Sequence, residues 1–214
     1  MAGASPRIAV LDYGAGNIRS VAKAVERSGA AVDVCSDASG LRHADAVVFP
    51  GVGAFADAAR SLAAKELDVA VREGIAEGRL YLGLCLGLQL LFEDSDEHGD
   101  AKGLGVLPGR VRRFPERGVS GERLLVPHIG WNRVVWSGSH PMLGSLPEED
   151  VYYFVHSYRA EPADPAHIVG TTDYDGVFTA AVAKENVFAV QFHPEKSQRA
   201  GKRLIDAFVG WVRS

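Results

Sequence analysis

Short apolar segments alternate with helix-patterned segments through the first half of this chain of 214 residues. Four apolar runs have the length and branched side chains of buried strands: residues 7–12, 31–35, 45–49 and 80–84. Between them, helical patterns follow Asn17, fill an alanine-rich stretch after Gly53 and extend over residues 65–77. Strand–helix–strand units join parallel strands by crossovers. The alternation therefore predicts an α/β fold, a mostly parallel twisted sheet with helices on both faces.

The second half is richer in strand patterns and ends in a helix. Its strand candidates are residues 110–114, 132–136, 151–158, 168–172, 178–183 and 187–192, and a terminal amphipathic helix is predicted over residues 199–212. No long repeat or linker separates these segments, so residues 7–214 are expected to form one domain. Residues 1–6 are expected to be a disordered extension, and the polar segment 115–123 a loop.

Charge and hydropathy argue against several classes of protein. A formal net charge of −4 gives no general attraction to nucleic acids or anionic membranes. The first residues lack the apolar core of a secretion signal. The most apolar stretch, residues 80–92, is shorter than the roughly 20 residues that a membrane span needs. A cytoplasmic protein is expected.

The two cysteines differ in their surroundings. Cys35 and Cys85 stand at unrelated positions and predict neither a disulfide framework nor a metal site, so no metal or cofactor is expected. Cys35 ends a strand beside Asp33 and Asp37, whose charges would raise the pKa of a thiol. A structural role is expected for Cys35.

Cys85 stands at a strand exit. Ligands of such sheets bind beyond the carboxyl ends of the strands, here residues 12–17, 50–55, 85–89, 156–158 and 193–197. Gly83-Leu84-Cys85-Leu86-Gly87 has the Gly-x-nucleophile-x-Gly pattern of a sharp strand-to-helix turn. That turn would place the thiol at a helix N-terminus, favour its thiolate and aim the Leu86 N–H at a developing oxyanion. The alternative is a small buried cysteine between glycines that serve packing.

A base for this thiol is predicted at another exit. His193-Pro194-Glu195 follows the apolar run 187–192. Pro194 favours extended backbone at His193, and residues two apart in extended chain point to the same side, so Glu195 can reach the imidazole. A carboxylate there would select the tautomer and stabilise the imidazolium. Together with Cys85 this predicts acyl transfer through a thioester, whereas His-Pro-Glu alone is also compatible with a capping glutamate.

On these residues the chain resembles the class I, triad-type glutamine amidotransferases over nearly its whole length. The catalytic motifs are Gly-Leu-Cys-Leu-Gly-Leu-Gln at 83–89 and Phe-His-Pro-Glu at 192–195. More narrowly, it resembles the glutaminase subunits of imidazole glycerol phosphate synthase, from histidine biosynthesis. That resemblance rests on five motifs: Asp-Tyr-Gly-Ala-Gly-Asn at 12–17, Pro-Gly-Val-Gly at 50–53, Pro-His-Ile-Gly-Trp-Asn at 127–132, Tyr-Phe-Val-His-Ser-Tyr at 153–158 and Gln-Phe-His-Pro-Glu-Lys-Ser at 191–197.

The resemblance implies a role for each matching residue. Cys85 would be the nucleophile, His193 the general base and acid, and Glu195 the carboxylate that orients it. The residues of the oxyanion hole would be Gly51, Val52 and Leu86. The residues that hold the substrate glutamine would be Gly53, Gln89, Glu97, Ser157 and Tyr158, with Glu97 paired to the α-ammonium. The residues at the subunit interface would be Asn17, Trp131, Tyr153 and Lys196.

The resemblance also implies a partner. The family's ammonia acceptor site lies on a (β/α)₈ barrel, which typically needs about 250 residues and belongs to a separate cyclase subunit. A heterodimer is therefore expected, in which shielded ammonia reaches the cyclase and is used to form imidazole glycerol phosphate and AICAR from PRFAR. Without the partner, glutamine is expected to bind while the 51–52 peptide is misaligned for oxyanion stabilisation.

Two other functions remain open on the sequence. A glutaminase subunit of another synthase, such as the one that feeds pyridoxal phosphate synthesis, would share the triad, but the motifs at 12–17 and 128–132 argue against it. A catalytically silent regulatory subunit is the other alternative. The intact Cys85, His193 and Glu195 argue against that function.

Overall fold

Three of the four strands predicted in the first half, at residues 7–11, 46–49 and 80–84, are covered on both faces, whereas the strand at residues 31–35 lies at the edge of the sheet and is largely exposed. In a computed structural model, which describes residues 5–99 and 101–214, the side chains of Ile8, Ala9, Val10 and Leu11 are fully buried. Burial on both faces accounts for apolar runs without polar alternation, because neither side of such a strand meets water.

The bounds of the elements are as follows. The strands are β1 (Arg7–Leu11), β2 (Ala31–Cys35), β3 (Ala46–Phe49), β4 (Leu80–Leu84), β5 (Asp94–Ser95), β6 (Ala101–Lys102), β7 (Gly109–Arg113), β8 (His128–Trp136), β9 (Glu149–His156), β10 (Tyr158–Pro162), β11 (Ile168–Asp173), β12 (Val177–Lys184) and β13 (Val187–Val190). The α-helices are α1 (Ile18–Arg27), α2 (Ala38–Arg42), α3 (Phe55–Ala64), α4 (Leu67–Ala76), α5 (Leu86–Gln89) and α6 (Gln198–Val212). Short 3₁₀ helices cover Pro141–Ser145, Pro165–His167 and Pro194–Lys196.

Nine strands form one sheet, in the order β2-β1-β3-β4-β13-β12-β11-β8-β9. Neighbours are parallel from β2 to β13 and antiparallel from β13 to β9. Ile8 and Val10 belong to a core shared with α1 and α6, whereas Ala9 and Leu11 pack with α2, α3 and α4. The predicted α/β class with helices on both faces is confirmed, and the strands of the second half add an antiparallel portion.

A second sheet has four strands in the order β10-β7-β5-β6. It corrects one prediction, because residues 151–158 are not one strand. β9 ends at His156 in the large sheet, Ser157 crosses, and β10 begins at Tyr158 in the small sheet. The strand pattern of the sequence continues through the crossing, so nothing local marks the change of sheet.

The helix starts and the chain start differ in detail from the predictions. Asn17 precedes α1, but its side chain makes no capping hydrogen bond, and its carbonyl accepts from Val21 N at 3.1 Å. Residues 1–4 of the predicted extension lie outside the described residues, whereas Pro6 is buried and its carbonyl accepts from Ala31 N at 2.9 Å. The helices of the described residues are all too short or too polar to cross a membrane.

Candidate active site

Sheet pairing brings the exits of β4 and β13 together. The two strands are parallel neighbours, with Val190 opposite Leu84, and the Cys85 N–H donates to the Val190 carbonyl at 2.7 Å. Cys85 is the first residue after β4, and His193 follows the end of β13 by three residues. Because parallel neighbours end at the same edge, the thiol and the imidazole lie close together although their residues are 108 positions apart in the chain.

The turn at Cys85 is strained and tightly packed. Cys85 has φ +51°, in the left-handed region that costs a non-glycine residue free energy, and it is 7% exposed. A Cβ on Gly87 would clash with the Phe49 carbonyl oxygen, and one on Gly83 would lie 2.6 Å from the Gly87 carbonyl oxygen. The flanking glycines are therefore required by close backbone approach, as the sequence pattern predicts.

The segment after Cys85 is helical, as predicted, but the helix is short. α5 covers only Leu86–Gln89, a single turn. The Leu86 N–H stands at its first position, where N–H groups have no acceptor within the helix. Stabilisation of a thiolate by the helix dipole is limited to what one turn provides.

His193 and Glu195 form a buried hydrogen-bonded pair. His193 Nδ1 lies 2.9 Å from Glu195 Oε1, and both side chains are 2% exposed. His193 is extended as predicted, at φ −109°, but Glu195 reaches the ring from the 3₁₀ helix Pro194–Lys196 and not from extended chain. Tyr153 O accepts from His193 N at 2.9 Å, which fixes His193 against β9.

The charges around His193 favour its protonated form. Burial alone would lower the pKa of His193, but the negative charge of ionised Cys85 and the hydrogen-bonded Glu195 outweigh it and raise the pKa to about 10. His193 Nε2 has no hydrogen-bond partner among residues 5–99 and 101–214. That nitrogen remains available for proton exchange with Cys85.

A cavity of about 380 Å³ opens beside the thiol. This volume falls within the roughly 300–1,000 Å³ typical of small-molecule sites. Its walls are Val52, Gly53, Cys85, Leu86, Gln89, Glu97, Val155, His156, Ser157, Tyr158, His193 and Lys196. Four of the five strand exits singled out in the sequence contribute to it. The exit at residues 12–17 stays behind the wall, where the Tyr13 hydroxyl donates to Val52 O at 3.4 Å.

The loop predicted to complete an oxyanion hole lies against the nucleophile turn. A Cβ on Gly51 would clash with the Leu86 side chain, so only glycine permits this approach. Gly53 has φ +113°, and Val52 between them is 37% exposed. All three backbone segments named for the oxyanion hole, at Gly51, Val52 and Leu86, are thus adjacent to Cys85.

The residues predicted to hold glutamine line the cavity. Glu97 is fixed at the wall, because its Oε2 accepts from Phe55 N at 2.7 Å. Gln89 is 5% exposed, and its Nε2 donates to Tyr158 O at 3.0 Å. Ser157 and Tyr158 stand side by side at the crossing between the sheets. One carboxylate and several hydroxyl, amide and backbone groups thus converge near the thiol, a set suited to an amino acid.

Three of the four predicted interface residues touch one another beside the cavity. The rings of Trp131 and Tyr153 meet edge to face at 5.9 Å, and Lys196 Nζ lies 5.8 Å from the Tyr153 ring. Trp131 is 49% exposed. Asn17 stands apart at the start of α1, a helix that packs against the turn carrying Lys196.

Sequence reasoning assigned no role to three residues of the site. Val155 and His156 line the cavity, and Gln191 is fully buried with its Nε2 donating to Cys85 Sγ at 3.5 Å. Gln191 carried a usable signal, because a glutamine that ends an apolar strand two residues before the base has to find a buried polar partner.

Comparison with known proteins shows the family of the chain. A family model described as "Glutamine amidotransferase class-I" matches residues 9–210. "Imidazole glycerol phosphate synthase subunit HisH" of Methylococcus capsulatus is 52% identical over 209 residues, covering 95% of this chain and 96% of that protein. "Imidazole glycerol phosphate synthase subunit HisH 1" of Pseudomonas aeruginosa is 46% identical over 206 residues, with 95% and 96% coverage.

Solved structures agree in fold. The "Structure of PurLQS from Thermotoga maritima" superposes with a TM-score of 0.74 at 20% identity, covering 97% of this chain and 99% of that chain. The glutaminase domain of a Trypanosoma brucei CTPS with bound acivicin gives a TM-score of 0.68 at 18% identity, with 97% and 93% coverage. At these identities the likeness concerns the fold alone.

Proposed function

The chain belongs to the class-I glutamine amidotransferase family, and from that membership and the geometry of its cavity we propose that Cys85, His193 and Glu195 hydrolyse glutamine. The product ammonia serves imidazole glycerol phosphate synthase in histidine biosynthesis, where this chain acts as the glutaminase subunit. The single observation that carries the assignment of residues is the convergence of Cys85 with the buried His193–Glu195 pair at one cavity. Residues 7–214 act as one amidotransferase domain.

The reaction begins with the proton of the Cys85 thiol on His193. His193 holds the proton when Cys85 is ionised, because the two charges stabilise each other in a buried site. The thiolate attacks the carboxamide carbon of glutamine, and the C=O electron pair moves to oxygen. N–H groups of Leu86 and of the loop at Gly51 and Val52 stabilise that oxyanion.

The intermediate collapses in two stages. His193 gives its proton to the nitrogen as the C–N bond breaks, so ammonia leaves and a thioester to Cys85 remains. His193, now neutral, takes a proton from water as the water oxygen attacks the thioester. The C–S bond then breaks, so the thiolate returns, His193 stays protonated, and the γ-carboxyl group of the product loses its proton to solvent as glutamate leaves. Glu195 keeps the ring oriented throughout and stabilises its charged form.

Glutamine recognition rests on the polar wall of the cavity. Glu97 pairs with the α-ammonium, and Gln89 and Gly53 hold the remainder of the substrate. The carboxylate is held by the Ser157 hydroxyl and by N–H groups at Ser157 and Tyr158. This division follows the charges: the acidic group faces the cation, and donors face the anion.

The chain works as one subunit of a complex with a cyclase partner. We propose that the partner is a (β/α)₈ barrel in a heterodimer, and that it docks on the cluster of Trp131, Tyr153 and Lys196, with Asn17 at the edge. Lys196 lines the cavity and adjoins Glu195 in sequence, so docking acts next to the triad. Ammonia protonated in bulk water loses its nucleophilicity, which requires a shielded passage between subunits.

Glutaminase activity of the purified chain, with and without the cyclase and its ribonucleotide ligand, tests the function. Glutamate formation is expected to rise strongly with both present. Cys85→Ala is expected to abolish it, while synthesis driven by added ammonia survives because only the ammonia supply is lost. Turnover by Cys85→Ala would remove the nucleophile assignment. Pull-down by a pyridoxal phosphate synthase barrel in place of the cyclase would move the chain to that synthase.

A further inference from the structure

Two histidines outside the triad, His128 and His156, form a buried pair beside the cavity. They face each other across β8 and β9 in direct register, with His128 Nδ1 3.1 Å from His156 Nε2. Their side chains are shielded by the rings of Phe114, Phe154 and Phe178, and the two residues are 3% and 7% exposed. The active-site mechanism does not use either imidazole.

Burial keeps this pair uncharged. Burial lowers the pKa of His128 to about 4. Burial also lowers the pKa of His156 to about 3, against a hydrogen bond to the Tyr158 carbonyl that favours the proton and with the nearby His128 and His193 adding to the decrease. Both rings are therefore neutral at physiological pH, and each carries one N–H.

The hydrogen bonds of the pair fix both tautomers. The Tyr158 carbonyl can only accept, so the contact of 2.8 Å from His156 Nδ1 requires the proton on Nδ1. His156 Nε2 is then an acceptor, and His128 has to donate through its own Nδ1. His128 Nε2 in turn faces Asn132 Nδ2 at 3.4 Å, and the same amide donates to Asp173 O at 2.8 Å. The chain of donors runs one way, from Asn132 toward the cavity.

The Tyr158 carbonyl also takes part in a second series of hydrogen bonds, which runs through Gln89 and Gln191 to Cys85. Gln89 Nε2 donates to Tyr158 O at 3.0 Å and to Gln191 Oε1 at 3.1 Å, and Gln191 Nε2 donates to Cys85 Sγ. Both N–H groups of the Gln89 carboxamide are thereby used. Only its oxygen is left for a ligand, so Gln89 can receive an N–H donor of the substrate and cannot offer one.

The bond from His156 to Tyr158 also spans the crossing between the two sheets. β9 ends at His156 and β10 begins at Tyr158, so a single residue, Ser157, changes sheets. Ser157 O accepts from Phe114 N at 3.0 Å, which ties the crossing to β7. Ser157 and Tyr158 both line the cavity. The orientation of their N–H and hydroxyl groups therefore depends on the hydrogen bond from the His156 side chain.

We propose that His156 is a positioning residue for glutamine and that His128 holds it in the required tautomer. The Nδ1–H of the neutral His156 ring donates to the Tyr158 carbonyl and thereby fixes Ser157 and the Gln89 carboxamide. The inference rests on the proposed glutaminase function for its kinetic consequence. The tautomers of the two histidines and the direction of their hydrogen bonds do not depend on that function. A protonated His156 would turn Nε2 into a donor against the His128 N–H and break the chain.

Long-range ¹H–¹⁵N spectra of the histidine rings test the core of the proposal in the unmodified protein. Both His128 and His156 are expected as neutral Nδ1–H tautomers between pH 8 and 6, assigned by their disappearance in His128→Asn and His156→Asn. Neutral imidazoles free in water mainly carry the proton on Nε2, so the expected result is distinctive. An Nε2–H tautomer or an imidazolium at pH 6 for either ring would overturn the proposal, whatever the enzyme's activity.

Kinetics of the complex with the cyclase test the functional consequence. His156→Phe keeps a ring but has no donor, whereas the terminal nitrogen of Asn in His156→Asn reaches about the place of Nδ1. The Phe variant is expected to raise KM for glutamine by about tenfold with kcat within about threefold, and the Asn variant to restore KM largely. His140→Phe, at a histidine packed on Phe188 and Trp211 outside the cavity, is the control and leaves KM unchanged.

The outcomes separate the hypotheses. Equal losses of Tm in both His156 variants with KM unchanged would make the pair a structural element only and refute the positioning role. If His156→Phe does not fold, the tautomers and the kinetics of His156→Asn decide between the hypotheses. A His156→Asn variant with reduced kcat and unchanged KM would also contradict the positioning role. Absence of glutaminase in the unmodified complex, with both Nδ1–H tautomers present, would instead refute the proposed function and leave the bonded chain intact.

Discussion

The two cysteines of this chain are both buried, but their charged neighbours differ. Burial, with Asp33 and Asp37 nearby, raises the pKa of Cys35, whose Sγ points to the Asp33 carbonyl at 3.5 Å. Cys85 shares its cavity with His193, which carries a proton when the thiol is ionised. The sequence indicated both environments, because carboxylates flank the first cysteine and glycines the second.

Selective labelling is expected to follow from this difference. A glutamine-like electrophile such as diazo-oxo-norleucine should modify Cys85 and leave Cys35 intact at pH 7, since the thiolate is the reactive form. Peptide mass spectrometry of the complex with the cyclase measures this. Cys35→Ala should not change the labelling rate by more than about twofold. Modification at Cys35, or labelling that persists in Cys85→Ala, would contradict the assignment.

The lowered pKa values of His128 and His156 make stability depend on pH. A histidine with a folded-state pKa below the unfolded value near 6.5 binds its proton more readily when the chain is unfolded. The free energy of unfolding therefore falls as pH falls from about 6.5 toward 4, by on the order of 2–4 kcal/mol for the pair between pH 7 and 5. Above pH 7 the two histidines do not make the free energy of unfolding depend on pH.

Urea unfolding at pH 7 and pH 5 gives the free energy of unfolding at each pH, and the difference between the two values measures the pH dependence. The unmodified chain should lose more stability over the interval than His156→Asn, in which one of the two titrations is removed. His43→Gln, at an exposed histidine, should match the unmodified chain. Equal slopes in all three proteins would show that the pair does not stay neutral on folding.

At the scale of elements, strands buried on both faces were the easiest to predict. β1, β3 and β4 lie within one residue of the predicted bounds, because a continuous apolar run is stable where both faces of the strand are covered. The strands β5 and β6 have two residues each, so they carry no periodic pattern and were not predicted. The same is true of α2, a five-residue helix capped by Asp37, whose side chain accepts from Ser39 N and Gly40 N.

The candidate site was predictable to the extent that it lies at strand exits. Cys85 and His193 follow apolar runs, and parallel pairing of those runs is enough to bring them together. His156 was not predictable as a positioning residue. Its role depends on the change of sheet at Ser157 and on the partner histidine in β8, and both are features of long-range pairing that leave no trace in local sequence.

Helix α6 supports the triad through one of its glycines. A Cβ on Gly201 would clash with the Pro194 carbonyl, in the turn that carries Glu195, whereas a Cβ on Gly210 meets nothing within 4 Å. Gly201→Ala is expected to destabilise the chain by about 1–3 kcal/mol and to reduce kcat by displacing Glu195. Gly210→Ala in the same helix is expected to stabilise it by about 0.5–1 kcal/mol, because alanine is the better helix former.

Thermal unfolding and glutaminase assays of the two alanine variants provide the comparison. A loss of stability and of activity in Gly201→Ala, with neither in Gly210→Ala, would support the contact between α6 and the triad turn. Wild-type activity in Gly201→Ala would mean that the turn moves without disturbing Glu195, and the argument from close packing would fail.

On the scale of the whole molecule, the two halves of the large sheet have different tasks. The parallel half places Cys85 and His193 at one edge, and β8 and β9 of the antiparallel half present Trp131 and Tyr153 beside that edge. His193 N donates to Tyr153 O, so a residue of the proposed docking cluster is hydrogen-bonded to the proposed base. If the cyclase docks at the proposed cluster, we expect its binding to reach His193 through this hydrogen bond.

Docking strength tests this arrangement directly. Trp131 is 49% exposed and packs only part of its ring on Tyr153, so Trp131→Ala should change Tm little. Large aromatic side chains dominate binding energy at interfaces, so the Kd for the cyclase should rise by about tenfold or more, as measured by calorimetric titration. Val34→Ala, at a 54% exposed side chain on β2, removes exposed apolar surface at the far edge of the same sheet and should leave Kd unchanged. An unchanged Kd for Trp131→Ala, or an equal increase for Val34→Ala, would place the interface elsewhere.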